Sequence, residues 1–236
     1  MKFWSISAVV GCLLGDLFVG HHLYAKHHEG YTVQRHDTQL VISWQGQPIV
    51  HGTASNLTVA ISPDRQSVAW MFQRLYLHPG FTNEADEEQT AYGVLFTAHA
   101  GQPAVQAIPP SRSRGVDFQW IYTSPFLTWH PADLRWDSTS QYLYFGTPLA
   151  VTCGAVWQLS AGSSSPRFVD SGGDWWLVKE PQGFDQVVIQ GLRYDCVDPA
   201  SGLTVRDYEN CYSYTTADIA ADRHVQSKKR VRPPGK

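Results

Sequence analysis

The sequence predicts an all-β protein built from three to four antiparallel sheets and preceded by one N-terminal helix. Short runs of β-branched and aromatic residues alternate with small turn residues along most of the chain, the pattern of consecutive antiparallel strands. Aromatic residues make up 13% of the 236 residues, which also favours strands. The same strand–turn–strand pattern recurs, so we expect one structural unit to be repeated.

Composition excludes two broad classes of protein. Hydrophobic residues make up 43% of the chain, too many for a mainly disordered protein, whereas charged residues make up only 17%. The formal net charge is −3, so no global positive field attracts nucleic acid. We therefore expect a folded domain without a nucleic-acid partner.

Residues 1–25 have the layout of an export signal or a membrane anchor, because Lys2 precedes the apolar run Phe3–Gly20. Three interpretations of this segment remain open. Cys12 ends a lipobox-like segment and would be lipidated. Cleavage after Ala25 would release a secreted protein, and an uncleaved helix would stay in the inner membrane. Each version predicts a location on the periplasmic side of the cell envelope. A buried cytosolic helix would show amphipathic spacing, which this run lacks.

The next segment, 26–37, is predicted to be a His-rich stalk that leads to the folded domain. Four histidines lie between His21 and Gly30, and imidazole is a good metal ligand. No further ligand follows at a recognised metal spacing. The sequence therefore predicts neither a metal site nor a cofactor.

Residues 38–218 form the predicted β domain, which opens with a hairpin over Thr38–Gly52. Three copies of one hairpin follow, each with a polar turn before an apolar strand: Ile61–Phe72, Leu134–Gly146 and Lys179–Gly191. A second unit, a strand, an Ala-Gly turn and another strand, follows two of them, at 93–108 and 155–170.

These units resemble the WD-like blades of bacterial β-propellers, such as the propeller of the Tol system. The resemblance covers Leu57 to Asp218 and implies three to four blade-like sheets, either as a propeller or as open stacked sheets. The Thr38–Gly52 hairpin would complete the set. That family commonly has glycine after the aspartate of the turn, where this chain has Arg65. The resemblance also implies protein binding rather than catalysis.

A long insertion, Arg74–Tyr92, separates the two hairpins of the first copy and carries an acidic cluster. Such a charge run is usually a solvated loop, but long loops on rigid β scaffolds are also common recognition sites. We therefore treat its four carboxylates as candidate partner-binding residues: Glu84, Asp86, Glu87 and Glu88.

Cys196 and Cys211 flank a turn-rich link and are predicted to lie on opposing strands. In an exported protein the oxidising compartment makes them the natural disulfide pair. Closing a loop of about 15 residues would stabilise the fold by roughly 3 kcal/mol. Cys153 is expected to be buried in its own strand.

No catalytic motif is present, and no residue is predicted to be catalytic. We expect an exported or membrane-tethered, non-enzymatic module that binds a protein partner in the cell envelope, for example an immunity-type protein. An envelope hydrolase or carbohydrate-active enzyme is the alternative, with carboxylates drawn from Asp133, Asp137, Asp170 and Asp174. A structural subunit of an envelope complex is a further alternative. Residues 219–236 are predicted to be a basic, disordered tail.

Overall fold

The computed structural model of the chain describes residues 29–53, 57–77, 89–108, 110, 112–113, 116–117, 132–150, 153–181, 183–191 and 209–234. These residues form four antiparallel sheets, a two-stranded ribbon and two short helices. The predicted all-β class is confirmed. Within the described part, no helix is both long and apolar enough to cross a membrane. The predicted N-terminal helix lies outside the described residues.

Each sheet is a meander in which strands adjacent in the chain pair with one another. Sheet 1 consists of β1 (Tyr31–His36), β2 (Gln39–Trp44) and β3 (Gln47–Thr53). Sheet 2 consists of β4 (Leu57–Ile61), β5 (Ser67–Leu77), β6 (Gln89–His99) and β7 (Val105–Gln106). A two-stranded ribbon follows, made of β8 (Arg112–Ser113) and β9 (Val116–Asp117).

Sheet 3 consists of β10 (Ala132–Trp136), β11 (Tyr142–Ala150), β12 (Cys153–Ser160) and β13 (Arg167–Gly172). Sheet 4 consists of β14 (Trp175–Val178), β15 (Gln186–Gln190), β16 (Cys211–Thr215) and β17 (Lys229–Val231). Helices α1 (Thr216–Ala220) and α2 (His224–Ser227) connect β16 to β17. The three repeated hairpins of the sequence are the first two strands of sheets 2, 3 and 4, as predicted.

The core lies between successive sheets, because the central strands are buried on both faces. On β5, Val68 and Trp70 pack toward sheet 1, whereas Ala69 and Met71 pack toward sheet 3. Successive side chains of a strand point to opposite faces, so a central strand between two sheets needs a continuous apolar run. This packing explains the unbroken apolar segments of the repeated hairpins.

Sheet 1 begins at Tyr31, inside the segment that the sequence predicts to be a stalk. Tyr31 is fully buried and packs with Ile42 of β2 and Leu57 of β4. Its backbone N–H donates to the carbonyl oxygen of Arg65 at 2.7 Å. One buried aromatic residue thus anchors a strand whose remaining residues are mostly exposed, which is why the polar composition of 26–37 conceals β1.

The C-terminal segment also differs from the predicted disordered tail, because residues 219–234 fold onto sheets 3 and 4. Ile219 and His224 are both fully buried. The Nε2 of His224 lies 3.0 Å from the carbonyl oxygen of Val169, and the Arg167 guanidinium donates to the carbonyl oxygens of Ile219 and Ala220, each at 2.8 Å. Two buried side chains and the pairing of β17 with β16 therefore outweigh the basic composition of this segment.

Candidate functional site

The first strands of sheets 2, 3 and 4 border an open cleft of about 420 Å³, which we call the inner cleft. Its volume lies in the range of about 300–1,000 Å³ that is usual for ligand sites. The residues that line it come from β4, β10, β14 and the turns after them: Ala60, Ile61, Pro63, Leu134, Arg135, Trp136, Leu177 and Lys179.

Two contacts hold the walls of the inner cleft together. The indole N–H of Trp136 donates to the carbonyl oxygen of Ala60 at 3.0 Å, which joins sheet 3 to sheet 2. The guanidinium carbon of Arg135 lies 5.0 Å from the centre of the Trp175 ring, a cation–π contact that joins sheet 3 to sheet 4. The position of the cleft is therefore fixed by three sheets at once.

Two cations lie over an otherwise apolar lining. Arg135 and Lys179 are both exposed, and within the described part of the chain neither forms an ion pair with a carboxylate. The other lining side chains are aliphatic, apart from Pro63 and Trp136. The lining has no carboxylate, thiol, hydroxyl or imidazole. Chemically, the cleft can hold an anionic group together with an apolar one.

The turns beside the inner cleft repeat in atomic detail. In the first, the N–H of Arg65 donates to the Ser62 carbonyl at 2.9 Å, and in the second the N–H of Ser140 donates to the Asp137 carbonyl at 3.1 Å. Arg65 has φ +62° and Ser140 has φ +63°, a conformation that favours glycine. The Nε of Arg65 donates to the Tyr31 carbonyl at 3.1 Å, a bond that helps to offset this strain.

The same turns bond to one another across the sheets. The N–H of Asp64 donates to the hydroxyl of Ser140 at 3.0 Å, which joins sheets 2 and 3. The N–H and hydroxyl of Ser138 donate to the two carboxylate oxygens of Asp185 at 2.7 and 2.9 Å, which joins sheets 3 and 4. This series of bonds sets the spacing of the strands that line the inner cleft.

Asp137 organises the central turn. Its Oδ1 accepts from the N–H groups of Gln141 and Tyr142 at 3.1 and 3.0 Å, and its Oδ2 accepts from the Thr139 hydroxyl. Burial raises the pKa of Asp137, and the nearby Asp185 carboxylate raises it further, although the hydrogen bonds to its oxygens act in the opposite direction. Asp137 therefore carries a structural role.

Of the four aspartates proposed for a hydrolase, Asp137 and Asp170 are engaged in the fold, whereas the side chains of Asp133 and Asp174 are exposed. The carboxylate of Asp170 accepts from the Tyr214 hydroxyl and from Lys228, whose Nζ lies 3.1 Å away. In the described part of the chain, no three His, Cys, Asp or Glu side chains come close enough together to hold a metal ion. Asp137 and Asp170 therefore bond to neighbouring groups of the fold, as turn and strand-end aspartates commonly do.

Of the residues predicted to be lipidated, disulfide-bonded or partner-binding, only Cys211 lies in the described part of the chain. Cys12, Cys196 and the acidic cluster Glu84–Glu88 lie outside the described residues, so their roles stay predictions. Cys211 lies on β16 and is buried. Arg135 and Lys179 were not among the predicted site residues, although Arg135 lies near the end of β10 and Lys179 directly follows β14. No local signal in the sequence indicates that these two side chains, which belong to different repeats, line one cleft.

Comparison with known proteins finds no matching family model and no matching curated protein. Solved structures do match. The β-propeller domain of the Trilobed protease from Pyrococcus furiosus has 13% identity and a TM-score of 0.32, over 79% of this chain and 59% of that chain. Hydrazine synthase of Kuenenia stuttgartiensis has 14% identity and a TM-score of 0.31, over 84% of this chain and 52% of that chain. The chain thus spans little more than half the length of these structures.

The four sheets themselves define the class of protein. Sheets 2, 3 and 4 are four-stranded antiparallel meanders, and each core cluster lies between successive sheets, from sheet 1 to sheet 4. This is the organisation of propeller blades. The chain is a β-propeller-like protein with three four-stranded blades and one three-stranded blade in the described part.

Proposed function

We propose that the chain is a non-enzymatic module that binds a protein partner in the cell envelope. The observation that carries the proposal is the pair of cations, Arg135 and Lys179, over the apolar lining of the inner cleft. The chain has a net charge of −3, yet neither of these two cations forms an ion pair with a carboxylate in the described part. The partner that fits is a segment with a carboxylate next to an apolar side chain.

The two cations suit this task in different ways. A guanidinium donates two parallel hydrogen bonds to a carboxylate, and its contact with Trp175 orients Arg135 before binding. Lys179, which follows β14 of sheet 4, is a flexible point charge that steers an acidic segment toward the cleft. Immunity to a secreted toxin is one concrete form of such binding. The acidic cluster Glu84–Glu88 remains a proposed second contact, for a basic surface of the partner.

The test compares capture of partners from a cell-envelope extract by the full-length wild type and by the Arg135→Gln/Lys179→Gln variant. We expect loss of the captured partner and at least about tenfold weaker binding when that partner is purified and titrated. The matched control is Lys229→Gln/Arg230→Gln, which removes the same charge from exposed positions on β17. Equal loss in both variants, or in neither, would contradict a role for the inner cleft.

Export is proposed from the N-terminal segment and the cysteine pair, and it has its own measurement. Intact mass of the chain recovered from fractionated membranes, with and without reductant, should show processing before residue 26 or an anchored full-length chain. Reduction should add the mass of two hydrogens if Cys196 and Cys211 are bonded. A lipid-sized gain on a chain that begins at Cys12 would establish the lipoprotein version. A full-length, wholly reduced chain in the soluble fraction would refute export.

A further inference from the structure

A second cleft, of about 310 Å³, lies between sheet 1 and the loop that connects β6 to β7. We call it the aromatic cleft, because Tyr31, Trp44 and Trp70 line its inner part. Both Tyr31 and Trp70 are buried, whereas Trp44 is half-buried at the end of β2. The site is on different strands from the inner cleft and shares no lining residue with it.

The loop is fixed against the aromatic side chains. The N–H of Gly101 donates to the Tyr31 hydroxyl at 3.2 Å, and the Tyr31 and Trp44 rings lie 4.5 Å apart. Gly101 has φ +72°, and a Cβ at this position would lie 2.4 Å from the Nε1 of Trp44. Only glycine therefore allows this close approach of the loop to the indole. The cleft is a built feature and not a gap between mobile groups.

The lining determines which ligands fit. It contains no charged side chain, so a charged ligand would lose its hydration without compensation. Gln47 and Gln102 are exposed at the rim, on β3 and on the loop respectively. Each amide offers both donors and an acceptor. Ile49 and Pro103 add apolar surface beside the half-buried Trp44.

We propose that the aromatic cleft binds an uncharged saccharide ring, packed against Trp44 and hydrogen-bonded by Gln47 and Gln102. A sugar ring combines an apolar C–H face with hydroxyl groups that both donate and accept at its edge. This combination matches an indole surface flanked by amides. A purely apolar ligand would leave the two amides unpaired, and an ionic ligand would find no counter-charge.

The experiment titrates the full-length protein by calorimetry with neutral sugars: glucose, galactose, N-acetylglucosamine and their β-1,4-linked disaccharides. We expect saturable binding of at least one sugar, and about tenfold weaker binding of it by Gln47→Ala/Gln102→Ala. Both glutamines are exposed, so this variant should fold normally. Trp44→Phe should weaken binding less than Trp44→Ala, because the phenyl ring retains part of the packing surface.

The Arg135→Gln/Lys179→Gln variant is the control that separates this site from the proposed function. It should bind the sugar as the wild type does, whatever its effect on the protein partner. No saturable binding of any sugar would overturn the proposal, as would equal affinity in Gln47→Ala/Gln102→Ala. Binding of proline-containing or aromatic dipeptides, in place of sugars, would also overturn it and would make the cleft a peptide site.

Discussion

Replacing Trp157 by alanine is expected to lower the free energy of unfolding by about 4 kcal/mol. Trp157 is completely buried on β12, where its ring meets Phe168 edge to face with centroids 5.6 Å apart. Its indole N–H donates to the Thr147 hydroxyl at 2.7 Å. Alanine would leave a cavity in the core between sheets 2 and 3 and would remove that donor from a buried hydroxyl.

Equilibrium urea unfolding of the full chain measures this loss of stability. In a thermal scan the unfolding midpoint should fall by roughly 8–16 °C for a protein of this size. Phe184→Ala is the matched control, because Phe184 is also a large aromatic residue but is 60% exposed. It should change stability by less than about 0.5 kcal/mol. Trp157→Phe should fall between the two. Equal effects of Trp157→Ala and Phe184→Ala would contradict the packing of sheet 2 on sheet 3.

The strands of sheets 2 to 4 were predictable because burial on both faces leaves a strong local signal. Residues 68–71 are apolar without interruption since Val68 and Trp70 face one sheet and Ala69 and Met71 face the next. The turns were predictable for a similar reason, since small polar residues accept local backbone hydrogen bonds. Ser62 shows this, because its hydroxyl accepts from the N–H of Ser67 at 2.9 Å.

Elements that are held in place by contacts with distant parts of the chain were not predictable. The order of the C-terminal segment depends on His224, whose ring meets that of Tyr214 edge to face with centroids 5.8 Å apart. Nothing in the local sequence indicates that this histidine is buried while the basic residues that follow it are exposed. β1 is held in place in the same way, by the buried side chain of Tyr31. In both cases a tertiary contact outweighs a composition typical of disorder.

The inner cleft could not be predicted either, although the hairpins that form it were. Arg135 and Lys179 belong to different repeats, and their proximity depends on how sheet 3 packs against sheet 4. The sequence indicates which residues are alike in the repeats, but not which side chains of successive repeats converge. A pair of cations from two repeats is brought together only by packing, whereas the acidic cluster Glu84–Glu88 is visible in the sequence as four carboxylates within five residues.

Replacing Asp137 by alanine is expected to lower the free energy of unfolding by about 3 kcal/mol. Asp137 is only 1% exposed, and its loss leaves the N–H groups of Gln141 and Tyr142 and the Thr139 hydroxyl without their acceptor. Asparagine retains one carbonyl oxygen in the same place, so Asp137→Asn should lower the free energy of unfolding by less than about 1 kcal/mol. Unfolding in urea at pH 7 distinguishes the two variants, and equal losses would contradict the hydrogen-bonding role.

The pH dependence of Asp137→Asn tests the buried charge separately. Because the pKa of Asp137 is raised in the folded state, the native protein retains a proton that the unfolded chain has already lost. The stability contributed by this group is therefore complete below its ordinary value of 3.8 and decreases as the pH rises through the raised value. Asparagine does not titrate, so the stability of Asp137→Asn relative to the wild type should improve between pH 4 and pH 7.

Asp64, in the equivalent turn of sheet 2, is expected to give the opposite pH dependence of stability. Partial burial raises the pKa of Asp64, but hydrogen bonds from the Ser62 hydroxyl and the Gln66 N–H outweigh it, and the net pKa is lowered. Its contribution is present above the ordinary value and is lost as the pH falls. Asp64→Asn should therefore lose stability relative to the wild type as the pH rises from 3 to 6, while Asp137→Asn gains. The two turns have the same backbone conformation, but their carboxylates are expected to lie in different environments. Parallel pH profiles for the two variants would contradict that difference.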